Sequence, residues 1–257
     1  MRQPAGGPGD PAAPVIRVLA VADQADEGFR ADPASLRAAD LIVACGDLPG
    51  EYLGYLMDAA DVPLVFVPGN HDPDLSGYRV SRAGLTLQAG LPARSPVPPG
   101  AVSADGRVVD VGGLRIAGLG GCLRYSSGPN QYSERQQGRR ARALRWRARW
   151  RQLRDGRGVD LLLTHAPPRG FGDGDDPPHY GFGCYHGLVS ALQPAMLLHG
   201  HVFPPVPPPA NGLLGRTIVR NVAPRQLMYI TPRRAKAPPR RQQEQEQEQE
   251  QEGRHAS

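Results

Sequence analysis

The sequence of 257 residues is poor in several things, and each shortage excludes something. There are only three cysteines, Cys45, Cys122 and Cys184, at wide spacing and without a CxxC pair, which argues against a disulfide framework and against a thiolate zinc site. Lysine is nearly missing: of 30 basic residues only Lys236 is a lysine, so arginine carries the positive charge, as expected of an arginine-biased coding sequence. Aromatics make up 6% of the chain, and both tryptophans lie close together at Trp146 and Trp150. No apolar run approaches the ~20 residues a membrane span needs. The first residues hold one arginine followed by glycine and proline, with no apolar signal region. These shortages together lead us to expect a cytoplasmic protein with no membrane span.

Glycine and proline are plentiful, with 32 and 28 residues, a share that predicts that part of the chain is unpacked. Residues 1–14 read as a flexible N-terminal arm. Residues 232–257, with alternating Gln and Glu from Gln243 to Glu252, offer no apolar face to bury and read as a disordered tail. Between them, residues 15–231 suffice for one core. Its apolar runs are short and rich in Val, Ile and Leu: Val15–Ala22, Leu41–Cys45, Leu64–Val67, Val159–Leu163, Ala195–Leu198 and Thr217–Val219. Unalternated runs of this length fit strands covered on both faces. Arg107–Val111 and Leu114–Leu119, split by Gly112 and Gly113, predict a hairpin, while Pro33–Ala39 and Glu51–Ala60 predict helices. The alternation argues an α/β layered sandwich with a mixed sheet.

The chemistry lies at the ends of those runs. Val15–Ala22 is followed by Asp23, Leu41–Cys45 by Gly46-Asp47, and Leu64–Val67 by Pro68-Gly69-Asn70-His71-Asp72. Val159–Leu163 leads to Thr164-His165, and Ala195–Leu198 to His199-Gly200-His201. Five strands thus each deliver a carboxylate, amide or imidazole at the rim where open α/β sheets bind ligands. Oxygen and imidazole donors without thiolates suit Mn, Fe, Zn or Ni. A single strand-end histidine is ordinarily a hydrogen-bonded core residue; five such positions in order are a pattern.

In that order the motifs resemble those of the calcineurin-like metallophosphoesterases, D-x-H, G-D, G-N-H-D/E, a lone His after a strand, and G-H-x-H. Their counterparts here are Asp23-Gln24-Ala25, Gly46-Asp47, Gly69-Asn70-His71-Asp72, His165 and Gly200-His201-Val202-Phe203. The resemblance implies a layered αββα sandwich with mixed sheets. It also implies hydrolysis of a phosphoester, a phosphodiester slightly favoured, by a metal-activated water. One divalent ion would be held by Asp47, Asn70, His165 and His201, all present. A second would take Asp23, Asp47 and two histidines whose places are filled by Ala25 and Phe203, so that site is degraded. Asp26 or Glu27 could substitute an oxygen ligand there; otherwise the ion binds weakly, or catalysis is lost and a mononuclear site remains.

The resemblance further makes His71 the residue that contacts the scissile phosphate or protonates the leaving group, with Asp72 orienting it. His199 is assigned to orienting a ligand. Arg124, beside Tyr125, is a candidate substrate contact because arginine suits bidentate phosphate binding. The Gly-rich stretch 170–183 and His186 read as solvated surface, the stretch having the length of a lid.

Residues 134–157 read as an arginine-rich helix with a local charge of +8. Ala143, Trp146, Trp150 and Leu153 recur at helical spacing as one stripe. The favoured expectation is that this stripe docks the helix on the domain, with arginines outward. The competing one is a basic face for nucleic acid, anionic lipid or a phosphorylated substrate. The function from another class is accordingly an impaired metal- or phosphate-binding scaffold that engages a partner or nucleic acid through this helix. The substrate's identity and protein partners are not legible.

Overall fold

A computed structural model describes residues 14–202 and 212–233, so the Gln/Glu tail, nearly all of the N-terminal arm and Phe203 lie outside the described residues. The chain folds as two sheets laid face to face. The first has strand order Arg225–Ile230, Ile16–Val21, Leu41–Ala44, Leu64–Phe66 and Val102–Ser103. The second runs Gly212–Leu214, Thr217–Asn221, Met196–His199, Leu161–Thr164, Leu114–Leu119 and Val108–Val111. Neighbours in the middle of each sheet are parallel; antiparallel strands close three of the four edges, and Val102–Ser103 closes the fourth in parallel, giving mixed sheets.

Residue alternation explains why these strands show no polar face. In Ile16–Val21, Val18 and Ala20 point between the sheets and join Val43, Val65, Ile116, Leu161 and Leu163 in the central core. Leu19 and Val21 point the other way, under Phe29, Leu36, Tyr52 and Leu56, from the short helix Gly28–Ala31, the 3-10 turn Pro33–Ala38 and the helix Gly50–Ala60. On the far side, Ala117, Leu119, Leu162 and Leu197 pack beneath the helices Glu134–Asp155 and Cys184–Leu192. With both faces buried, central strands such as Leu41–Ala44 and Leu64–Phe66 are apolar throughout. The result is a four-layer α/β sandwich with helices outside and sheets inside.

Gly112 and Gly113 turn the hairpin between Val108–Val111 and Leu114–Leu119, both with positive φ (56° and 80°), as a two-residue primed turn requires. The strand Arg225–Ile230 was not anticipated from the sequence. It pairs antiparallel with Ile16–Val21 at an edge, burying Met228 and Ile230 while Leu227 and Tyr229 face outward, so it lacks a continuous apolar run.

The arginine-rich helix corrects the favoured expectation. A capping box starts it, with Gln136 N donating to Ser133 Oγ and Ser133 N to Gln136 Oε1. It docks through Gln137, Ala141, Leu144 and Ala148, not through the tryptophan stripe. Trp146, Trp150 and Leu153 are 72%, 66% and 67% exposed. Polar anchors on its flanks set this rotation. Arg140 grips Asp105 at 2.5 and 2.6 Å, Arg151 bonds Asp110 at 2.7 Å, and Arg147 donates to the Gly106 carbonyl. Buried Gln137 donates to the Gly120 carbonyl and the Tyr185 hydroxyl. A seam of small residues and fixed ion pairs therefore outweighs two large apolar side chains. No described helix is long and apolar enough to cross a membrane.

Candidate metal centre

Asp23, Asp47, Asn70, His165 and His201 each follow a parallel strand, on the same edge of the two sheets. The cluster is closest around His165. Its Nε2 lies 3.0 Å from Asn70 Oδ1, 3.2 Å from Asp47 Oδ2 and 3.1 Å from His201 Nδ1. Ligand atoms of Asp47, His165 and His201 all fall within 4.8 Å of one another. Two carbonyls set the imidazole orientations: His165 Nδ1 is 2.7 Å from the Cys45 oxygen, and His201 Nε2 is 2.6 Å from the Pro178 oxygen. A ring nitrogen that donates to a carbonyl leaves the opposite nitrogen's lone pair for a cation, so Nε2 of His165 and Nδ1 of His201 both face the cluster.

Local backbone geometry brings these side chains in. Asp23, Asp47 and His201 all adopt left-handed φ (64°, 58° and 70°), a conformation ordinarily rare for residues with a Cβ. Such strain persists only where surroundings hold it, and it concentrates at functional sites. Here His201 N donates to both Asp23 oxygens at 2.9 Å, and His71 N donates to Asp47 Oδ1 at 2.8 Å. Asp72 Oδ2 accepts from Gly69 N at 2.7 Å and Asp47 N at 2.9 Å. Asp72 thus pins the loop that carries Asn70, and among the described hydrogen bonds none joins it to the His71 ring.

The surroundings act differently on the two carboxyls. Burial pushes Asp47 upward, but His165 and the His71 amide overcome it, and the carboxyl ends below its usual value. Burial raises Asp23, and the nearby charges of Asp47 and Asp72 add to the rise. The two carboxyls are thus shifted in opposite directions, Asp47 downward and Asp23 upward. Burial is also the main cause that brings His201 down to about 4, keeping its ring neutral and available as a ligand. His165 is raised: burial opposes protonation, but the Asp47 and Asp23 carboxylates outweigh it.

One carboxylate oxygen, two imidazole nitrogens and an amide oxygen make a donor set that fits a divalent cation of the Mn, Fe, Zn or Ni kind. A second ion is served less well. Ala25 packs against the core beside the helix Gly50–Ala60 and has no donor. The Asp26 carboxylate accepts from Gly28 N at 2.7 Å and pairs with Arg225 at 2.6 Å, while Glu27 pairs with Arg30 at 3.5 Å. Neither Asp26 nor Glu27 joins the cluster, so the structure gives no support to a substitute oxygen ligand.

The remaining candidates separate. Arg124 is turned away, donating to the Gln131 carbonyl and to Gln136 Oε1. Its neighbour Tyr125 instead reaches the site, accepting from Asn70 Nδ2 at 3.1 Å and so turning Asn70 Oδ1 inward. His199 is fully buried, within 3.0 Å of the Gly200 oxygen, and burial holds it neutral, with its pKa lowered to about 4. The stretch 170–183 is not merely solvated surface: Pro178 carries the carbonyl that orients His201, and the His179 ring lies 5.7 Å from that of His201. Sequence reasoning also passed over Asn130, whose Nδ2 donates to the Gly69 and Asp72 carbonyls and braces the Asn70 loop from outside. A polar residue in a loop carries no signature of which distant backbone it will meet.

Gly69 leaves no room for a side chain: a Cβ there would collide with Asp47 Oδ1 and Cγ. Gly69→Ala is therefore expected to push Asp47 out of the cluster and weaken metal affinity by about 10–100-fold, measured by titration of the metal-free protein.

The fold and this donor set define a metal-binding α/β phosphoesterase architecture. The chain belongs to the calcineurin-like phosphoesterase family, whose model matches residues 16–205. No curated protein matches it. Solved structures similar to it include TT1561 of Thermus thermophilus, at 16% identity and a TM-score of 0.48, covering 80% of this chain and 88% of that one. A hypothetical protein from the same organism is 21% identical with a TM-score of 0.40, covering 80% and 75%. The Thermus thermophilus sulfate thiohydrolase SoxB is 15% identical with a TM-score of 0.35, covering 79% of this chain and 41% of that one.

Proposed function

We propose that the protein hydrolyses a phosphoester at the Asp47–Asn70–His165–His201 cluster in the presence of one tightly held divalent ion. The observation that carries this is the convergence of three ligand atoms within 4.8 Å, with the Asn70 oxygen beside them. A bound divalent ion would neutralise phosphoryl charge and activate water. Asp47 supplies the anionic ligand and, through Oδ1, fixes the backbone that presents His71. His71 is exposed, and it lines a cavity of about 260 Å³ together with Asp47 and Asp72. From there its ring can hold a phosphoryl oxygen or pass a proton to the departing oxygen.

That cavity supports a phosphodiester over a monoester. Beyond those three residues its walls are Leu48, Leu53, Phe66, Leu75, Val97 and prolines, with no arginine or lysine to neutralise a dianion. An esterified, singly charged phosphate with an apolar substituent suits it better.

Metal content measured beside hydrolysis of an aryl phosphodiester with added manganese tests the reading. Turnover supports it; one bound metal without turnover at any pH supports instead a scaffold that binds metal or phosphate. His71→Ala is expected to lower turnover by about 10²–10⁴-fold with metal content unchanged. Full activity in that variant would remove His71 from the chemistry.

A further inference from the structure

The outward side of the arginine-rich helix has no use in the site just described. At 3.6 residues per turn, Trp146, Trp150 and Leu153 fall within about 60° of one another, opposite the docked Leu144 and Ala148. Arg135, Arg139, Arg142 and Arg149 share that outward side, and all four are exposed. Among the described residues none of them has an ion-pair partner, whereas Arg140 and Arg151 are tied to Asp105 and Asp110. The helix's two acidic residues are both committed elsewhere. Glu134 accepts from Gly183 N and Cys184 N, and Asp155 pairs with Arg115. The outward face is thus purely cationic along its first half and flanks, and apolar along its second half.

We propose that this face docks the protein on an anionic phospholipid bilayer, lying in the interface without crossing it. Three features favour lipid. The charge is complementary to an anionic leaflet, where each nearby arginine adds attraction. Tryptophan belongs at the headgroup boundary, where its ring is buried and its N–H stays wet, and arginine can lay its stem alongside while its guanidinium stays in water. Leu153, in line with the tryptophans, inserts among acyl chains but offers no face for a stacked base. A single helix is moreover convex, which suits a flat membrane; single-stranded nucleic acid is ordinarily held in a groove. A Gln/Glu segment such as 243–252 could answer the arginines but has nothing to cover the tryptophans.

Because the chain's only two tryptophans lie on this face, their fluorescence reports on it directly. The full chain should show water-exposed emission alone and a blue shift with vesicles of phosphatidylcholine mixed with phosphatidylglycerol. Phosphatidylcholine alone should bind on the order of 10²-fold more weakly, and added salt should reverse the binding. Leu153→Glu keeps both reporters and should weaken binding; Arg142→Glu with Arg149→Glu should abolish the preference for anionic vesicles. Far-ultraviolet circular dichroism should stay unchanged in each. The proposal is overturned by an absent shift with anionic vesicles, or by emission already blue without lipid, which would mean the chain covers its own face. It is equally overturned by a shift that an oligonucleotide produces and anionic vesicles do not.

Discussion

Asp47→Asn is expected to lower turnover on a phosphodiester by about 10²–10³-fold, through loss of metal, with the fold intact. Asparagine has the same shape and tolerates the left-handed φ of 58° at this position, so the backbone need not move. What changes is charge and one acceptor. Oδ2, 3.2 Å from His165 Nε2, belongs to a carboxyl that this histidine helps hold below its usual pKa. An amide removes that charge from beside the two imidazoles, and a cation then meets three neutral ligands. Metal titration should show the loss directly, and thermal unfolding without metal should change little. Turnover within tenfold of the unaltered protein would show that Asp47 is not the central ligand.

The divide between what the sequence discloses and what it hides follows the range of the interaction. Runs such as Leu41–Cys45 are apolar because both faces of their strand are covered, a condition visible residue by residue. The polar groups just past them, Asp23, Asp47, Asn70, His165 and His201, stand out against that background. Whether they meet depends on two sheets lying face to face, and the structure brings four of them around one point. The braces are another matter. Tyr125, Asn130 and the Pro178 carbonyl act on residues 55, 61 and 23 positions away, and nothing in their local sequence marks those partners. The arginine-rich helix shows the same limit. Periodicity reveals that Trp146, Trp150 and Leu153 share a side, but which side docks was decided by Asp105 and Asp110, from the loop and strand that precede it.

Arg115→Met is expected to destabilise the domain by about 3 kcal/mol, lowering the melting temperature by roughly 6–12 °C. The Arg115 side chain is 5% exposed and joins three parts of the fold. It bonds Asp110 at 2.8 Å in the hairpin and Asp155 at 2.6 Å at the end of the arginine-rich helix, and donates to the Arg157 carbonyl at 2.8 Å. Methionine fills the stem's space but strands the carboxylates. Asp110 and Asp155 are 43% and 46% exposed and can rehydrate, which places the cost at the low end for a broken buried pair. Arg115→Lys should fall in between, since an ammonium cannot serve two carboxylates with a planar fork. Acid provides an internal check. Hydrogen bonding to Arg115 holds the Asp155 carboxyl well below the usual range. A depressed folded-state value stabilises above the unfolded carboxylate pKa of ~3.9, and the contribution is lost as the pH falls through the folded value. The melting-temperature gap between the native protein and Arg115→Met should therefore be full at neutral pH and close on acidification below about pH 4. A gap that stays constant with pH would mean that packing of the arginine stem, and not its charge, holds the helix against the sheet.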